Sequence, residues 1–206
     1  MVYKTKLQTV RNVFNSLNNN SPDPAYLLLG GDAFLQSFFI EKVSEKISSN
    51  NVFNKSVYSL DEDDAEKILL EITGISLFSE PRIIIIRQIK KFRKNHITDI
   101  INWIDSSPVS QCIFLILDEF DLKVMIVKEL TKYISVVDVR TPFPNKVKEW
   151  INFIGKTKGM TLSSEIVEML LEGCGDSIGK INNELEKLAI FQKSNNRCEL
   201  DSIISS

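Results

Sequence analysis

The chain has 206 residues, with 25 lysines and arginines against 27 aspartates and glutamates, and its formal net charge at pH 7 is −2. This length allows one large or two modest domains, and an apolar content of 43% is enough for a buried core. A nearly neutral chain has no global field that attracts nucleic acid or an anionic membrane, so any such contact must be local.

The cysteines and the single histidine argue against several kinds of chemistry. Cys112, Cys174 and Cys198 are odd in number and widely spaced, which favours a reduced, cytoplasmic chain without a disulfide framework or a zinc site. His96 has no partner at the spacing of a hydrolase triad, and we expect it to be an exposed helix residue. The sequence shows no signal peptide and no apolar run near the roughly 20 residues that span a bilayer. We therefore expect no metal site and no membrane contact.

Apolar runs and helical spacing alternate through the first two thirds of the chain. Apolar residues at helical spacing from Leu7 to Leu17 predict a first helix. Strands are predicted at 25–29, 52–60, 83–86, 113–117 and 136–139, with helices at 34–47, 63–72, 95–104 and 122–133 between them. The strands at 83–86 and 113–117 are apolar on both faces, which is typical of a parallel sheet covered by helices on both sides. The pattern predicts an α/β domain with a five-stranded parallel sheet and flanking helices.

The pattern changes around Pro142 and Pro144, because two prolines close together interrupt regular structure and no strand-like run follows them. Helices are predicted at 145–156, 163–173 and 176–192. We therefore expect an α/β domain at residues 1–140 and a small all-α lid domain at residues 141–206.

The first strand-turn-helix is where a phosphate-binding loop would lie in a nucleotide-dependent protein. The turn reads Gly30-Gly31-Asp32, and no lysine occurs between Lys6 and Lys42. A phosphate loop requires a lysine and a Ser or Thr hydroxyl, and Asp32 would place a negative charge beside the phosphates. We interpret Gly30-Gly31-Asp32 as a degenerate phosphate loop and expect the chain to bind no cofactor.

Three charged segments have both a structural and a functional interpretation. Asp118-Glu119 follows an apolar strand like the Mg²⁺-binding pair of ATPases, although acids at this place also cap helices. The acidic run 61–64 could be a metal-binding cluster, but the start of a helix, where the dipole favours carboxylates, also explains it. The basic stretch from Arg82 to Lys94 is typical of a solvated loop, and contact with nucleic acid is the alternative.

The segment between the second helix of this alternation and the Ile83 strand contains Leu77 and Phe78 among turn-forming residues. A single face of a regular element cannot easily bury both side chains. They could plug an apolar pocket of a partner, each buried side chain contributing about 1.5–3 kcal/mol. From the residues alone, local packing is an equally good explanation.

Several segments resemble the delta subunits of bacterial DNA polymerase III, which belong to the sliding-clamp loader. The run Tyr26 to Leu35 is similar to the family's opening strand and its "Leu-Gly-Glu/Asp-Asp-x-Phe-Leu" turn. Ser76-Leu77-Phe78-Ser79, followed by Pro81-Arg82, is similar to its "Ser-Leu-Phe-x-x-x-Arg" segment. Asn183 to Leu188 resembles the lid motif "Glu-Leu-x-Lys-Leu". These matches occur in the same order along nearly the whole chain.

The resemblance implies an AAA+-like fold without ATPase activity and without a catalytic residue, in a subunit of a DNA-directed DNA polymerase. It implies that Leu77 and Phe78, flanked by Ser76 and Ile75, insert into the hydrophobic pocket of the sliding clamp (the beta subunit) and help to open it. The other implied partners are the gamma/tau and delta prime loader subunits, with DNA contacted indirectly through the complex. Clamp affinity would be coupled to the ATP state of the partner subunits.

Two alternatives remain open at this point. One is an active ATPase with an atypical phosphate loop, based on Asp118-Glu119, and the other is a DNA-binding adaptor that uses the Arg82–Lys94 stretch. The resemblance also implies a third, C-terminal collar domain in the family. We expect the chain to lack it, because residues 201–206 read as the start of a further helix.

Overall fold

A computed structural model describes residues 7–48, 53–74, 81–106 and 110–194. The chain divides into two compact units, Met1–Thr141 and Pro142–Ser206. The first unit is a mixed α/β unit and the second is helical.

The strands of the first unit are β1 (Gln8–Thr9), β2 (Ala25–Leu29), β3 (Asn54–Ser59), β4 (Arg82–Arg87), β5 (Gln111–Leu117) and β6 (Ser135–Asp138). Its helices are α1 (Val10–Leu17), α2 (Ala33–Ile47), α3 (Ala65–Thr73), α4 (Lys94–Ser106) and α5 (Met125–Leu130), with a short 3₁₀ turn at Ile89–Lys91. The strand order is β1-β6-β2-β5-β4-β3, and every described pairing is parallel.

This architecture confirms the predicted parallel α/β fold but corrects the number of strands from five to six. The additional strand, β1, has two residues and pairs with β6 at the edge of the sheet, with Gln8 opposite Val137. Two polar residues form too short a run for a strand pattern to be recognised. Thr9 also caps α1 by accepting a hydrogen bond from the Asn12 amide at 3.2 Å, so that helix begins at Val10 and not at Leu7.

Successive strand residues point to opposite faces of the sheet, and helices cover both faces. On one face, Tyr26 stacks on Phe114, with ring centroids 5.8 Å apart, and meets Phe39 of α2 edge to face. On the other face, Leu27 and Leu115 belong to a cluster with buried residues of α3, α4 and α5. Burial on both sides explains the continuously apolar sequences of the central strands.

Helix α5 is shorter than the predicted 122–133. The Asp121 carboxylate accepts a hydrogen bond from the Lys123 amide at 2.7 Å, which forms a turn before the helix. The helix then covers only Met125–Leu130.

The second unit contains a 3₁₀ turn at Pro144–Lys146 and helices α6 (Val147–Thr157), α7 (Ser164–Cys174) and α8 (Ile178–Ser194). Ser163 caps α7 through a hydrogen bond from the Ile166 amide at 3.5 Å. Trp150 and Ile154 of α6 and Ile181 and Leu185 of α8 are buried in this unit.

Candidate functional site at the carboxyl ends of the strands

The turn between β2 and α2 lies where a nucleotide-dependent protein would have its phosphate loop. Gly30 has a φ of +129°, a conformation that residues with a Cβ rarely adopt. A Cβ at this position would lie 2.5 Å from the Arg140 amide nitrogen and 2.6 Å from the Val139 carbonyl carbon. The glycine is therefore required by the close approach of the chain that leaves β6.

Backbone donors of this turn are used within the protein. The Gly30 amide donates to the Leu117 carbonyl at 3.0 Å, and the Asp32 amide donates to the Val139 carbonyl at 3.3 Å. The Asp32 carboxylate caps α2 by accepting from the Leu35 amide at 3.0 Å. A phosphate would need these N–H groups, and Asp32 already supplies a negative charge at the helix N-terminus, where the helix dipole favours it.

Gln36, on the first turns of α2, connects this loop to β5. It is 1% exposed. Its side-chain amide donates to the Gly30 carbonyl at 2.7 Å and to the Asp118 carboxylate at 2.9 Å. Its side-chain oxygen accepts from the Arg87 guanidinium at 3.1 Å, and the same guanidinium lies 3.9 Å from Asp118. Sequence reasoning missed Gln36, although a polar residue between Leu35 and Phe38 was an available signal.

The Asp118-Glu119 pair lies in this network. The Asp118 carboxylate accepts a hydrogen bond from Gln36 and lies close to Arg87, and Glu119 forms an ion pair with Lys90. The two carboxylates therefore face cations and an amide of the same unit, which lowers their availability to a Mg²⁺ ion. In the parts of the chain that the structure describes, no group of three potential metal ligands comes together.

The basic stretch is largely neutralised by acids of the same unit. In addition to Arg87 and Lys90, Lys91 pairs with Asp61 at 2.6 Å, and Arg82 pairs with Glu71 at 3.3 Å. Phe92, which interrupts the stretch, is buried. These pairs weaken the interpretation of this segment as a nucleic-acid contact.

The acidic run has the structural role that its position suggested. The Asp64 carboxylate accepts from the Glu66 and Lys67 amides at 2.9 and 3.2 Å and so caps α3. Asp63 accepts from the Ser59 amide at 2.8 Å.

The expectation for His96 is wrong, because its side chain is buried. The imidazole Nδ1 accepts from the Arg93 amide at 3.2 Å, so Nε2 has the proton and donates to Glu66 at 3.0 Å. The ring also meets Phe92 edge to face at 5.8 Å. An apolar helix surface and an amide that needs an acceptor therefore determine the position of His96.

Two of the three cysteines, Cys112 and Cys174, lie in the described part of the chain, and both are free thiols. Burial raises the pKa of the Cys112 thiol, and the nearby Asp23 charge raises it further. Cys174 is a free, half-buried thiol, and Cys198 lies outside the described residues. Among the described residues, no helix is both long enough and apolar enough to cross a membrane.

Ile75, Ser76, Leu77 and Phe78, the predicted clamp-binding residues, lie outside the described residues. The structure does describe what flanks them. On one side α3 ends at Thr73 and is followed by Gly74, and on the other Pro81 leads into β4.

The fold and this turn together define an α/β protein with a parallel sheet, in which β2 leads through Gly30-Gly31-Asp32 into α2. The family model for the DNA polymerase III delta subunit matches residues 26–140, which is more than half of the chain, and the chain belongs to that family. The DNA polymerase III subunit delta of Bacillus subtilis (strain 168) is 21% identical over 94% of this chain and 59% of its own length.

A solved structure, the Bacillus subtilis DNA clamp loader delta protein (YqeN), superimposes with a TM-score of 0.71. It is 19% identical to this chain, and the match covers 89% of this chain and 57% of that one. At this identity the likeness concerns the fold. The chain spans a little under three fifths of the length of the curated relative that it matches.

Proposed function

We propose that the chain acts as a clamp-loader delta subunit, which binds the sliding clamp and helps to open it without hydrolysing ATP. Family membership supports the role in the loader. The observation that supports the absence of ATP hydrolysis is the internal network of Gly30, Asp32, Gln36 and Asp118, in which the donors and carboxylates that Mg·ATP would need already have partners.

The clamp contact is assigned to Leu77 and Phe78, with Ser76 and Ile75 beside them. The proposed partners are the clamp and the gamma/tau and delta prime subunits, and DNA is reached through the complex. In this proposal the chain itself does no chemistry. The ATP state of the partner subunits instead controls its affinity for the clamp.

Co-elution with the cognate sliding clamp in size-exclusion chromatography tests the contact. The Leu77→Ala/Phe78→Ala double variant is expected to lose co-elution while its circular dichroism stays that of the unmodified chain. Phe143→Ala is the matched control, because Phe143 is an exposed aromatic residue elsewhere in the chain, and it should bind like the unmodified chain. Clamp binding by the double variant at full strength would refute the proposal.

A nucleotide titration tests the proposed absence of ATP hydrolysis. Isothermal calorimetry with Mg·ATP is expected to show no binding, because the turn would have to break its own hydrogen bonds and accept phosphates beside Asp32. Saturable binding that needs Asp118 would instead favour the alternative of an active ATPase.

A further inference from the structure

The last turn of α3 and the first residue of β4, which lie on either side of the 75–80 segment, are joined by Glu71 and Arg82. A guanidinium nitrogen of Arg82 donates to the Glu71 backbone carbonyl at 3.2 Å and to the Glu71 carboxylate at 3.3 Å. Only 16% of the Arg82 side chain and 34% of the Glu71 side chain are exposed. The Glu71–Arg82 bridge therefore connects the two ends of a segment of six residues.

The carboxylate of Glu71 is also held from β3. Ser56 donates to one carboxylate oxygen at 2.9 Å, and the Tyr58 hydroxyl donates to the other. Burial alone would raise the pKa of Glu71, but the hydrogen bonds from Tyr58 and Ser56 and the charge of Arg82 outweigh it and lower that pKa. The carboxylate is therefore fixed in position and ionised at neutral pH.

Several backbone carbonyls at the end of α3 also accept hydrogen bonds. The Thr73 hydroxyl donates to the Leu69 carbonyl at 2.9 Å, and the Gly74 amide donates to Leu70 at 2.8 Å. The Gln111 side chain donates to the Ile72 carbonyl at 3.3 Å. A helix end leaves such carbonyls unpaired, and a cation beside them is favoured by the helix dipole. Arg82 supplies that cation at Glu71.

The other end of the segment is fixed by the sheet. The Pro81 carbonyl accepts from the Asn54 amide at 2.8 Å, and the Arg82 amide donates to the Ser110 carbonyl at 2.8 Å. The backbone at both ends of the segment is thus bonded to neighbouring elements, while Glu71 and Arg82 bond the two ends to each other.

We propose that Glu71 and Arg82 are positioning residues for clamp binding, and that their bridge fixes the two ends from which Leu77 and Phe78 are presented. This inference rests on the proposed function. Conformational freedom lost on binding reduces affinity, and a segment whose two ends are already held in place has less of it to lose. The bridge acts through the segment and does not itself contact the clamp.

The test measures the dissociation constant of the chain and the immobilised cognate clamp by surface plasmon resonance. Glu71→Gln and Arg82→Met are each expected to weaken binding about tenfold, and the double variant about as much as one single variant, because the two residues act as a unit. Arg82→Lys should recover part of the affinity, since the charge is kept. Glu129→Gln, which breaks the surface pair with Lys132, is the matched control and should bind like the unmodified chain.

A second measurement separates positioning from a general loss of structure. In hydrogen exchange of the free chain, the amides of Gly74 and Arg82, which border the segment and donate to Leu70 and Ser110, should exchange faster in Glu71→Gln and Arg82→Met than in the unmodified chain, while amides of β2 and β5 are unchanged. Bridge variants that bind the clamp within twofold of the unmodified chain would overturn the inference, provided that Leu77→Ala/Phe78→Ala abolishes binding. If that double variant still binds, the proposed function itself fails.

Discussion

The side-chain amide of Gln36 lies 2.9 Å from the carboxylate of Asp118 and links the first turns of α2 to the end of β5. The same amide reaches the Gly30 carbonyl at 2.7 Å, and Arg87 donates to the other end of the Gln36 side chain. One buried side chain therefore holds the glycine turn, the strand-end carboxylate and a strand-end cation together. This arrangement gives the Gly30-Gly31-Asp32 turn a structural role.

Replacing Gln36 with leucine should lower the free energy of unfolding by about 1–3 kcal/mol, because the buried Gly30 carbonyl and the Arg87 guanidinium lose their hydrogen bonds to the Gln36 side chain. Urea denaturation followed by circular dichroism measures the change. Glu41→Ala is the control on an exposed position of the same helix, and it should stay within about 0.5 kcal/mol of the unmodified chain. A Gln36→Leu variant as stable as this control would contradict the importance of the network.

Substitution by alanine should lower the stability of the chain at Gly30 but not at Gly173. At Gly30, a Cβ would meet backbone atoms of Val139 and Arg140 at 2.5–2.6 Å in a backbone conformation that alanine avoids. We expect Gly30→Ala to destabilise the chain by more than about 1 kcal/mol.

At Gly173, in α7, nothing lies within 4 Å of a new Cβ. Alanine is favoured over glycine in helices by roughly 0.5–1 kcal/mol, so Gly173→Ala should leave stability unchanged or raise it. Thermal unfolding of both variants compares the signs. A stable Gly30→Ala variant would show that the turn is not constrained by the chain after β6.

The regular elements around this turn could be predicted because their signals are local. The apolar run from Ala25 to Leu29 and the glycines after it indicate a strand and a tight turn, and Asp32 is a good helix cap. Gln36 could not be placed in the same way, because its partners Arg87 and Asp118 are distant in sequence and meet only when the parallel strands align. The pairing of basic and acidic residues is likewise a property of the folded sheet.

The errors have the same physical origin. Gln8 and Thr9 form a strand because the edge of β6 is available to them, which no local pattern shows. The burial of His96 depends on its contact with Phe92 and on the Arg93 amide, which precedes α4 and donates to the imidazole. The assignment of Leu77 and Phe78 to clamp binding lies outside the described residues and stays a prediction.

His96→Ala should lower the free energy of unfolding by about 2 kcal/mol, because the Arg93 amide loses its acceptor and α3 loses its contact through Glu66. His96→Asn is the matched variant, since its side-chain oxygen can accept from the same amide, and it should recover part of the loss. Urea denaturation checks both. Equal stability of the alanine and asparagine variants would show that the hydrogen bond to Arg93 contributes little.

The Glu71 carboxylate should make stability depend on pH in a predictable direction. Its pKa is lowered from the ordinary value of 4.5, so the unfolded chain binds a proton at Glu71 more readily than the folded chain does. The stabilisation is therefore fully present above the unfolded pKa and is lost as the pH falls through the folded pKa. The stability difference between the unmodified chain and Glu71→Gln should be constant from about pH 6 to pH 7 and shrink towards about pH 3.

Tyr58→Phe provides the control for this pH dependence. Among the interactions that lower the pKa of Glu71, the hydrogen bond from Tyr58 comes first, so its removal should raise that pKa towards 4.5 and reduce the loss of stability in acid. Carbon-13 NMR titration of the Glu71 carboxyl group measures the pKa directly in both chains. A Glu71 pKa that is the same with and without the Tyr58 hydroxyl would show that Tyr58 does not hold this carboxylate, and would remove one of the supports inferred for the Glu71–Arg82 bridge.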